Sequence, residues 1–511
     1  MFKSSLLVTI LTFASSVISF TNQILIAYFF GASQNVDAYL IGISAPVFVT
    51  AAIGASLNYS LVPKLVKLKS ENLYKHSYGE LFLYLSFFSV AISLLGIVIT
   101  EVAIKYFITS ISAQIGHEVL EIARIAWLYC AVGIINIFYF SVFVVNKRYL
   151  IPALLTMIPF ILISIFLIVF QSFYGLIIAC YAMLIGNVAV FLISYALLKY
   201  EFVFSSFKLL QIEKIKYYFS NSLYYILAVT CFTIYPIIDS YFGSKLGEAN
   251  VSYLGYSQRI IVGLGNLIIA GPSIILGLYF AELSNNDQKL ELSATFEKVV
   301  KIIVIFGLFF FIIINSSAEV IVRIIFERGS FSSSETVRLA ELLPNMSFGM
   351  IFMLCMVVAM RMMFAIDHLK MAALIGVSTP ILYFIFNYFL IRIFGLIGVA
   401  QSYMISWVVT FLATVVFLIK TGYMRFNFHD ALLFFIKLTI SVLTTMFIYS
   451  FLFKLNHEII DDQSNFWSVL NVLSAASIAL IIYLVITIYI FRLMELGFII
   501  MRIKTIIYKI K

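Results

Sequence analysis

Charged side chains are scarce in this 511-residue chain. Asp, Glu, Lys and Arg together make up 11% of it, less than half of the roughly 25% carried by an ordinary soluble domain. With 63% of its residues hydrophobic and a mean hydropathy of +1.09, the chain has no way to cover a water-facing surface, and a bilayer is the solvent that suits it. Cysteine is also rare. Cys130, Cys180, Cys231 and Cys355 each sit inside an apolar run, without the paired spacing of a zinc site or an extracellular loop to staple, so they read as small core residues. The five histidines, His76, His117, His368, His429 and His457, fall at the ends of apolar runs or between them, where solvated roles are expected. There is no Walker A loop, no G-x-S-x-G elbow, no Rossmann fingerprint and no Cys/His metal spacing. The expectation is therefore a non-enzyme with no cofactor and no metal. The formal charge of +9 does not argue for nucleic acid, because basic residues on a membrane protein set loop orientation.

Long apolar runs are what the sequence has in abundance. Windows of about 20 residues, enough to cross a 30 Å hydrocarbon core at 1.5 Å per residue, place spans near 5–29, 37–60, 80–104, 120–144, 150–171, 174–198 and 217–242. Seven more lie near 251–280, 299–318, 337–363, 371–394, 396–420, 429–453 and 466–491. Strands would leave backbone groups unpaired in lipid, so these are expected to be helices. The longest outside connection is expected over 317–336. The first run exceeds a signal-peptide core and more spans follow, so it is expected to be retained.

Most of the 33 lysines and arginines fall on one side of this span map, among them Lys64, Lys67, Lys69, Lys147, Arg148, Lys208, Lys214 and Lys216. That asymmetry places both termini in the cytoplasm. Arg124, Arg259 and Lys437 fall within spans. The carboxyl tail from Leu496 to Lys511 alternates isoleucine and leucine with Arg502, Lys504, Lys509 and Lys511, a pattern for an interfacial helix on anionic lipid or for a solvated tail.

A repeat is visible six spans apart. Tyr28-Phe29-Phe30-Gly31-Ala32-Ser33 followed by Asn35-Val36-Asp37-Ala38-Tyr39 is echoed by Tyr241-Phe242-Gly243-Ser244 followed by Asn250-Val251-Ser252-Tyr253. Halves that repeat in the same direction imply two lobes related by an axis along the membrane normal. The expected architecture is an all-α polytopic membrane protein of about fourteen transmembrane helices, two six-helix lobes around a central cavity plus two C-terminal helices. The boundaries expected are 1–205, 206–422 and 423–511, the last holding the two extra helices and the basic tail.

Ionisable residues at membrane depth cost at least about 2.5–3.5 kcal/mol unless paired or wetted, so they are the candidates for function. Arg259 can bind a phosphate through two parallel N–H bonds, or form a structural pair with Asp239 on the preceding span. Asp37 opens the second span, where a carboxylate also caps a helix. Glu121 and Arg124, three apart, read as a structural pair. Ser15, Ser16, Ser19, Thr21, Asn22, Gln23 and Asn58 give the first two spans a polar stripe suited to a cavity lining or to hydrogen bonds between helices. Pro152, Pro159, Pro236, Pro272, Pro344 and Pro380 interrupt spans and permit bends. The substrate-binding candidates are Arg259, Asn22, Ser16, Asp37 and Asp239.

These residues together resemble the MurJ (MviN) lipid II flippases of the multidrug/oligosaccharidyl-lipid/polysaccharide exporter superfamily, over nearly the whole length. Phe30-Gly31-Ala32-Ser33 with Val36-Asp37-Ala38-Tyr39 is similar to that family's F-G-A then D-A-F/Y element, and Val62-Pro63 to its V-P ending. Phe326-Glu327-Arg328-Gly329-Ser330-Phe331 matches its F-x-R-G-x-F stretch, the most specific of the matches. Asn146 with Pro152 and Pro159 resembles its fifth-span opening, and Arg259 its eighth-span cavity arginine. The resemblance implies outward movement of an undecaprenyl-diphosphate-linked saccharide by alternating access without bound nucleotide, coupled to the membrane potential or an ion gradient. The implied substrate is lipid II for peptidoglycan or a related polysaccharide precursor. Membrane lipids are the other expected partner, and cell-wall or polysaccharide synthesis enzymes are the candidate protein partners. The alternative is a cation-coupled multidrug-type exporter of the same superfamily. One departure stands out: where the family places arginines on the first span, this chain has Ser16 and Asn22, and around Val49 and Thr50 on the second it has no basic residue.

Overall fold

The computed structural model describes residues 2–70, 74–107, 113–201, 219–425, 427–459 and 465–487. Regular structure among them is helical throughout. In chain order the helices are α1 (Phe2–Phe30), α2 (Gln34–Ser70), α3 (Tyr74–Phe107), α4 (Ala113–Val145), α5 (Leu150–Leu155), α6 (Met157–Tyr174), α7 (Ile177–Leu198), α8 (Ser222–Thr233) and α9 (Tyr235–Lys245). They continue with α10 (Asn250–Asn285), α11 (Lys289–Phe326), α12 (Ser333–Ala340), α13 (Leu343–Ala365), α14 (Leu369–Phe394), α15 (Leu396–Lys420), α16 (Phe428–Ile459) and α17 (Asn465–Val485). Every one of the fourteen expected spans holds helix. Among the described residues eleven stretches are long and apolar enough to cross a membrane, twelve if the pair α8 and α9, bent by 42°, is counted as one span. α10 and α17 occupy the eighth and fourteenth positions. The molecule is an all-α, multi-pass membrane protein.

Three of the expected proline interruptions are accompanied by helix breaks. α5 gives way to α6 at Thr156, between Pro152 and Pro159, and the α8–α9 bend lies beside Pro236. Pro344 stands in the first turn of α13, where its missing N–H costs nothing. Pro380 lies inside the continuous α14.

The expected outside loop over 317–336 is largely helix instead. α11 runs on to Phe326 through a single non-helical residue, Ser317 (φ −137°, ψ 21°). The stretch Val320-Ile321-Val322 keeps its apolar face, with Val322 and Phe326 buried, while the Ser317 hydroxyl lies 2.7 Å from Tyr449 Oη. The connection to α12 shrinks to Glu327–Ser332, and a Ser332–Glu335 capping box starts α12. The carboxyl tail from Leu496, residues 460–464 and the basic residues Lys208, Lys214 and Lys216 lie outside the described residues.

The chain forms two compact units. The first holds Met1–Arg259, Arg328–Phe331 and Leu369–Phe384. A core there links α2, α3, α4 and α7 through Leu57, Leu61, Leu81, Trp127, Phe138, Tyr139, Phe143 and Val190. Small residues set the helix spacing, as expected where lipid supplies no hydrophobic drive between helices. A Cβ on Gly42 would lie 2.6 Å from Ile122, and one on Gly186 2.5 Å from the Pro159 Cα. The second unit holds Ile260–Glu327, Ser332–His368 and Ile385–Lys511. There α11 packs on α16 and α17 through Ile305, Phe309, Ile312, Phe434, Leu438, Ala475 and Tyr483. All four cysteines are free and buried, as expected of core residues.

Candidate functional site

Three segments distant in sequence close together in the first unit. Gly31 ends α1 with a positive φ of 60°, and its carbonyl accepts the Tyr256 hydroxyl at 2.8 Å. Asp37, buried in the first turn of α2, accepts the backbone N–H of Ser252 at 2.7 Å and the Ser252 hydroxyl as well. The carboxylate thus caps the N-terminus of α10, where free N–H groups and the helix dipole favour a negative charge. Its partner is another helix rather than its own. The third segment is Arg328–Phe331. Gly329 has a φ of 64°, Ser330 donates its N–H to the Tyr28 carbonyl at 2.8 Å and its hydroxyl to Phe29 at 3.0 Å, and the Phe331 ring meets Tyr256 edge-on at 5.9 Å. Only glycine fits at 329, because a Cβ would lie 2.3 Å from the Tyr28 carbonyl oxygen.

The repeat explains part of this closure. Asn35-Val36-Asp37 and Asn250-Val251-Ser252 occupy equivalent positions, and their third residues bond to each other. Val36 and Val251 are both buried beside them.

Asp239, buried on α9, does not pair with Arg259. One carboxylate oxygen takes the Tyr383 hydroxyl and the other takes the Gln258 side-chain amide. The Tyr235 ring packs on Tyr383 at 4.5 Å. Glu121 likewise is not the partner of Arg124, whose guanidinium reaches Glu101 on α3 at 2.6 Å. Arg124 thus takes its partner from a neighbouring helix rather than from its own, and Asp239 is held by Tyr383 on α14 and by Gln258, the neighbour of Arg259 on α10.

The polar stripe on α1 divides. Asn22 is buried, donates to the Phe160 carbonyl at 3.0 Å and accepts from Ser164 at 2.5 Å, tying α1 to α6. Ser15 and Gln23 are buried as well. Ser16 is exposed and turns its hydroxyl back to the Thr12 carbonyl at 3.0 Å. Among the candidates, then, Asp37, Asp239 and Asn22 are held by protein partners.

Arg259 is different. It lies on α10 two turns beyond Ser252, is exposed, and has no carboxylate or hydrogen-bond partner among the described residues. Tyr39 on α2 and Tyr129 on α4, both with buried rings, belong to the same unit. Two close approaches set this arrangement: a Cβ on Gly255 would lie 2.6 Å from the Leu40 side chain, and one on Gly42 would strike Ile122. Sequence reasoning passed over both tyrosines. Tyr39 ends the first-hairpin motif and was within reach of notice; Tyr129, in an apolar run with no pattern around it, carried no signal.

A guanidinium with no hydrogen-bond or carboxylate partner among the described residues is chemically able to take an anion. The protein-family model described as "Lipid II flippase MurJ" matches residues 26–470. The chain belongs to the MurJ lipid II flippase family. Curated relatives include the "Probable lipid II flippase MurJ" of Buchnera aphidicola subsp. Acyrthosiphon pisum, 24% identical over 80% of this chain and 81% of its own length. The protein of the same description from Aquifex aeolicus is 22% identical over 69% and 70%. Among solved structures, "Lipid II flippase MurJ, inward closed conformation" matches with a TM-score of 0.78, covering 95% of this chain and 99% of that one at 20% identity. A multidrug resistance MATE family transporter of the MOP superfamily, in its inward-facing conformation, matches with a TM-score of 0.66 over 81% and 97% at 13% identity. The fold is therefore common to MurJ and MATE proteins, and the family match singles out the former.

Proposed function

We propose that this protein is a flippase that carries an undecaprenyl-diphosphate-linked saccharide, lipid II for peptidoglycan or a related polysaccharide precursor, from the cytoplasmic to the outer leaflet of a bacterial inner membrane. The observation that carries this reading is Arg259: an exposed, unpaired guanidinium on a membrane span, in a chain of the MurJ family. It anchors the diphosphate, whose charge must leave water during the crossing. The protein transports rather than catalyses, requires no cofactor, and has both termini in the cytoplasm. Its lobes comprise 1–205 and 206–422, with 423–511 appended, and substrate passes between them by alternating access. Membrane lipids surround it, and the enzymes that build or polymerise the saccharide are its functional neighbours. Of the other candidates, Asp37 and Asp239 serve by holding α10 and α14 around the Arg259 region, Asn22 by fixing α1, and Ser16 by offering a neutral polar surface.

Complementation tests this. With the resident lipid II flippase of a bacterial host depleted, expression of this chain is expected to restore growth and outer-leaflet lipid II, and Arg259→Ala is expected to abolish rescue while accumulating normally. A well-inserted protein that fails to restore lipid II translocation overturns the lipid II assignment. Drug efflux that depends on a cation gradient would instead favour the multidrug reading.

A further inference from the structure

Helix α2 is fastened to later helices near both of its ends. At its start Asp37 holds the first turn of α10. Towards its other end Ser56, Ser60 and Lys64 recur every four residues, which places them on one face of the helix. All three meet the start of α8, within the same unit. The Ser56 hydroxyl donates to the Ser222 carbonyl at 3.0 Å, the Ser60 hydroxyl to the Ser220 carbonyl at 3.1 Å, and the Lys64 ammonium to the Ser220 hydroxyl at 2.9 Å. Beside them the Tyr59 and Tyr225 rings stack at 5.4 Å with their planes 17° apart. Asn221, between the two acceptor residues, stands at φ 65° and supplies no side-chain cap to α8. The helix it introduces is short, 12 residues, and is set off from α9 by the 42° bend beside Pro236. Gly376 of α14 backs directly onto α8, since a Cβ there would lie 2.0 Å from the Leu227 carbonyl oxygen.

We propose that Ser56, Ser60 and Lys64 form a latch between α2 and α8 that parts and re-forms in each transport cycle. The inference rests on the flippase reading, under which the lysine-bearing end of α2 faces the cytoplasm. It deepens that reading by naming the contacts that open there while the Asp37 end stays shut. α2 belongs to the first copy of the repeat and α8 leads into the second. These bonds therefore join the two copies that alternating access must separate on one side of the membrane at a time. Their chemistry suits a joint that reopens. A hydroxyl bonded to a carbonyl is a tie of the weaker class, against the carboxylate that holds the other end of α2. Once apart, the serine hydroxyls and the Lys64 ammonium are groups that water satisfies. The bend at Ile234 supplies the hinge about which α8 swings, and the Gly376 contact makes α14 travel with it.

The test places Ser60→Cys and Ser220→Cys together in the full chain and joins them with a short bis-thiosulfonate reagent. The four native cysteines are buried, which leaves this pair as the reactive one. In spheroplasts of a host depleted of its own lipid II flippase, the joined pair is expected to lose outward lipid II movement and to regain it when the link is reduced. Full transport by the linked protein shows a static contact and overturns the latch, leaving the flippase reading standing. A pair that does not link overturns it too. Labelling judges the latch apart from transport. In inverted membrane vesicles an impermeant maleimide is expected to modify Ser56→Cys slowly, the residue being 2% exposed, and about tenfold faster once Ser60→Ala and Lys64→Met remove the other two ties, with melting unchanged. An unaltered labelling rate overturns the latch. If the wild type moves no lipid II while labelling accelerates as expected, the flippase reading falls and the opening joint remains.

Discussion

The hairpin end of the first unit and the region around Arg259 are two turns of α10 apart, and they treat polarity in opposite ways. At the hairpin end every polar group singled out has found a protein partner: Asp37 with Ser252, Gly31 with Tyr256, Ser330 with Tyr28 and Phe29. The Arg259 guanidinium has none among the described residues. Location at membrane depth therefore does not by itself mark a functional charge. Buried Asp239, with donors on both oxygens, is as deep in the protein as any candidate and is accounted for by packing. The discriminating property is an accessible group that the fold has left unsatisfied, because protein stability offers no reason to keep it.

The substitution expected to break this contrast most severely is Arg259→Ala. It removes no hydrogen bond or ion pair found among the described residues, so thermal unfolding in detergent should stay within about 0.5 kcal/mol of wild type, as for a side chain away from structural features, while transport in the complementation assay is lost. A variant that fails to accumulate would show the guanidinium to be structural after all. Gly329→Ala acts on the opposite side of the comparison. A methyl group 2.3 Å from the Tyr28 carbonyl, on a residue at φ 64°, should cost at least about 1–3 kcal/mol, seen as a lower melting temperature. Asp37→Ala leaves the buried Ser252 N–H without its acceptor and should cost about 1–3 kcal/mol. Asp37→Asn, which keeps an acceptor oxygen, should recover much of that loss, and equal melting of the two variants would refute the capping role. Asn22→Ala should have the smallest effect, about 0.6 kcal/mol, the usual size of a hydrogen bond between membrane helices. If it abolished transport without loss of stability, Asn22 would belong with Arg259 rather than with the closed end.

Much of the fold was legible because hydropathy and length constrain a membrane helix so strongly. All fourteen expected spans hold helix, and the breaks beside Pro159 and Pro236 coincide with prolines read from the sequence. The outside connection expected over 317–336 contains helix, and Ser316-Ser317, read as the polar end of a span, marks a kink in α11. Ser317 instead finds Tyr449, and the helix continues beyond it. The expected Arg124–Glu121 pair failed for a related reason. Spacing along a chain identifies which residues share a helix face, and says nothing of what a neighbouring helix brings to that face. Glu101 and Tyr383 arrived from elsewhere in the fold.

The sequence by itself determined that this chain lives in a bilayer, crosses it by helices alone and repeats its hairpin motif, since each follows from local composition and period. It also marked Phe30–Tyr39, Asn250–Tyr253 and Phe326–Phe331 as distinctive, relating the first two as copies of a repeat but not the third to either. Tertiary structure alone decided that parts of the three converge, with Asp37 capping α10 and Gly329 pressed against Tyr28. It alone decided which polar groups are satisfied and which remain open. Satisfaction is a property of pairs, and in a membrane helix, whose backbone bonds are all internal, the side-chain partners come from whichever helix packing places alongside.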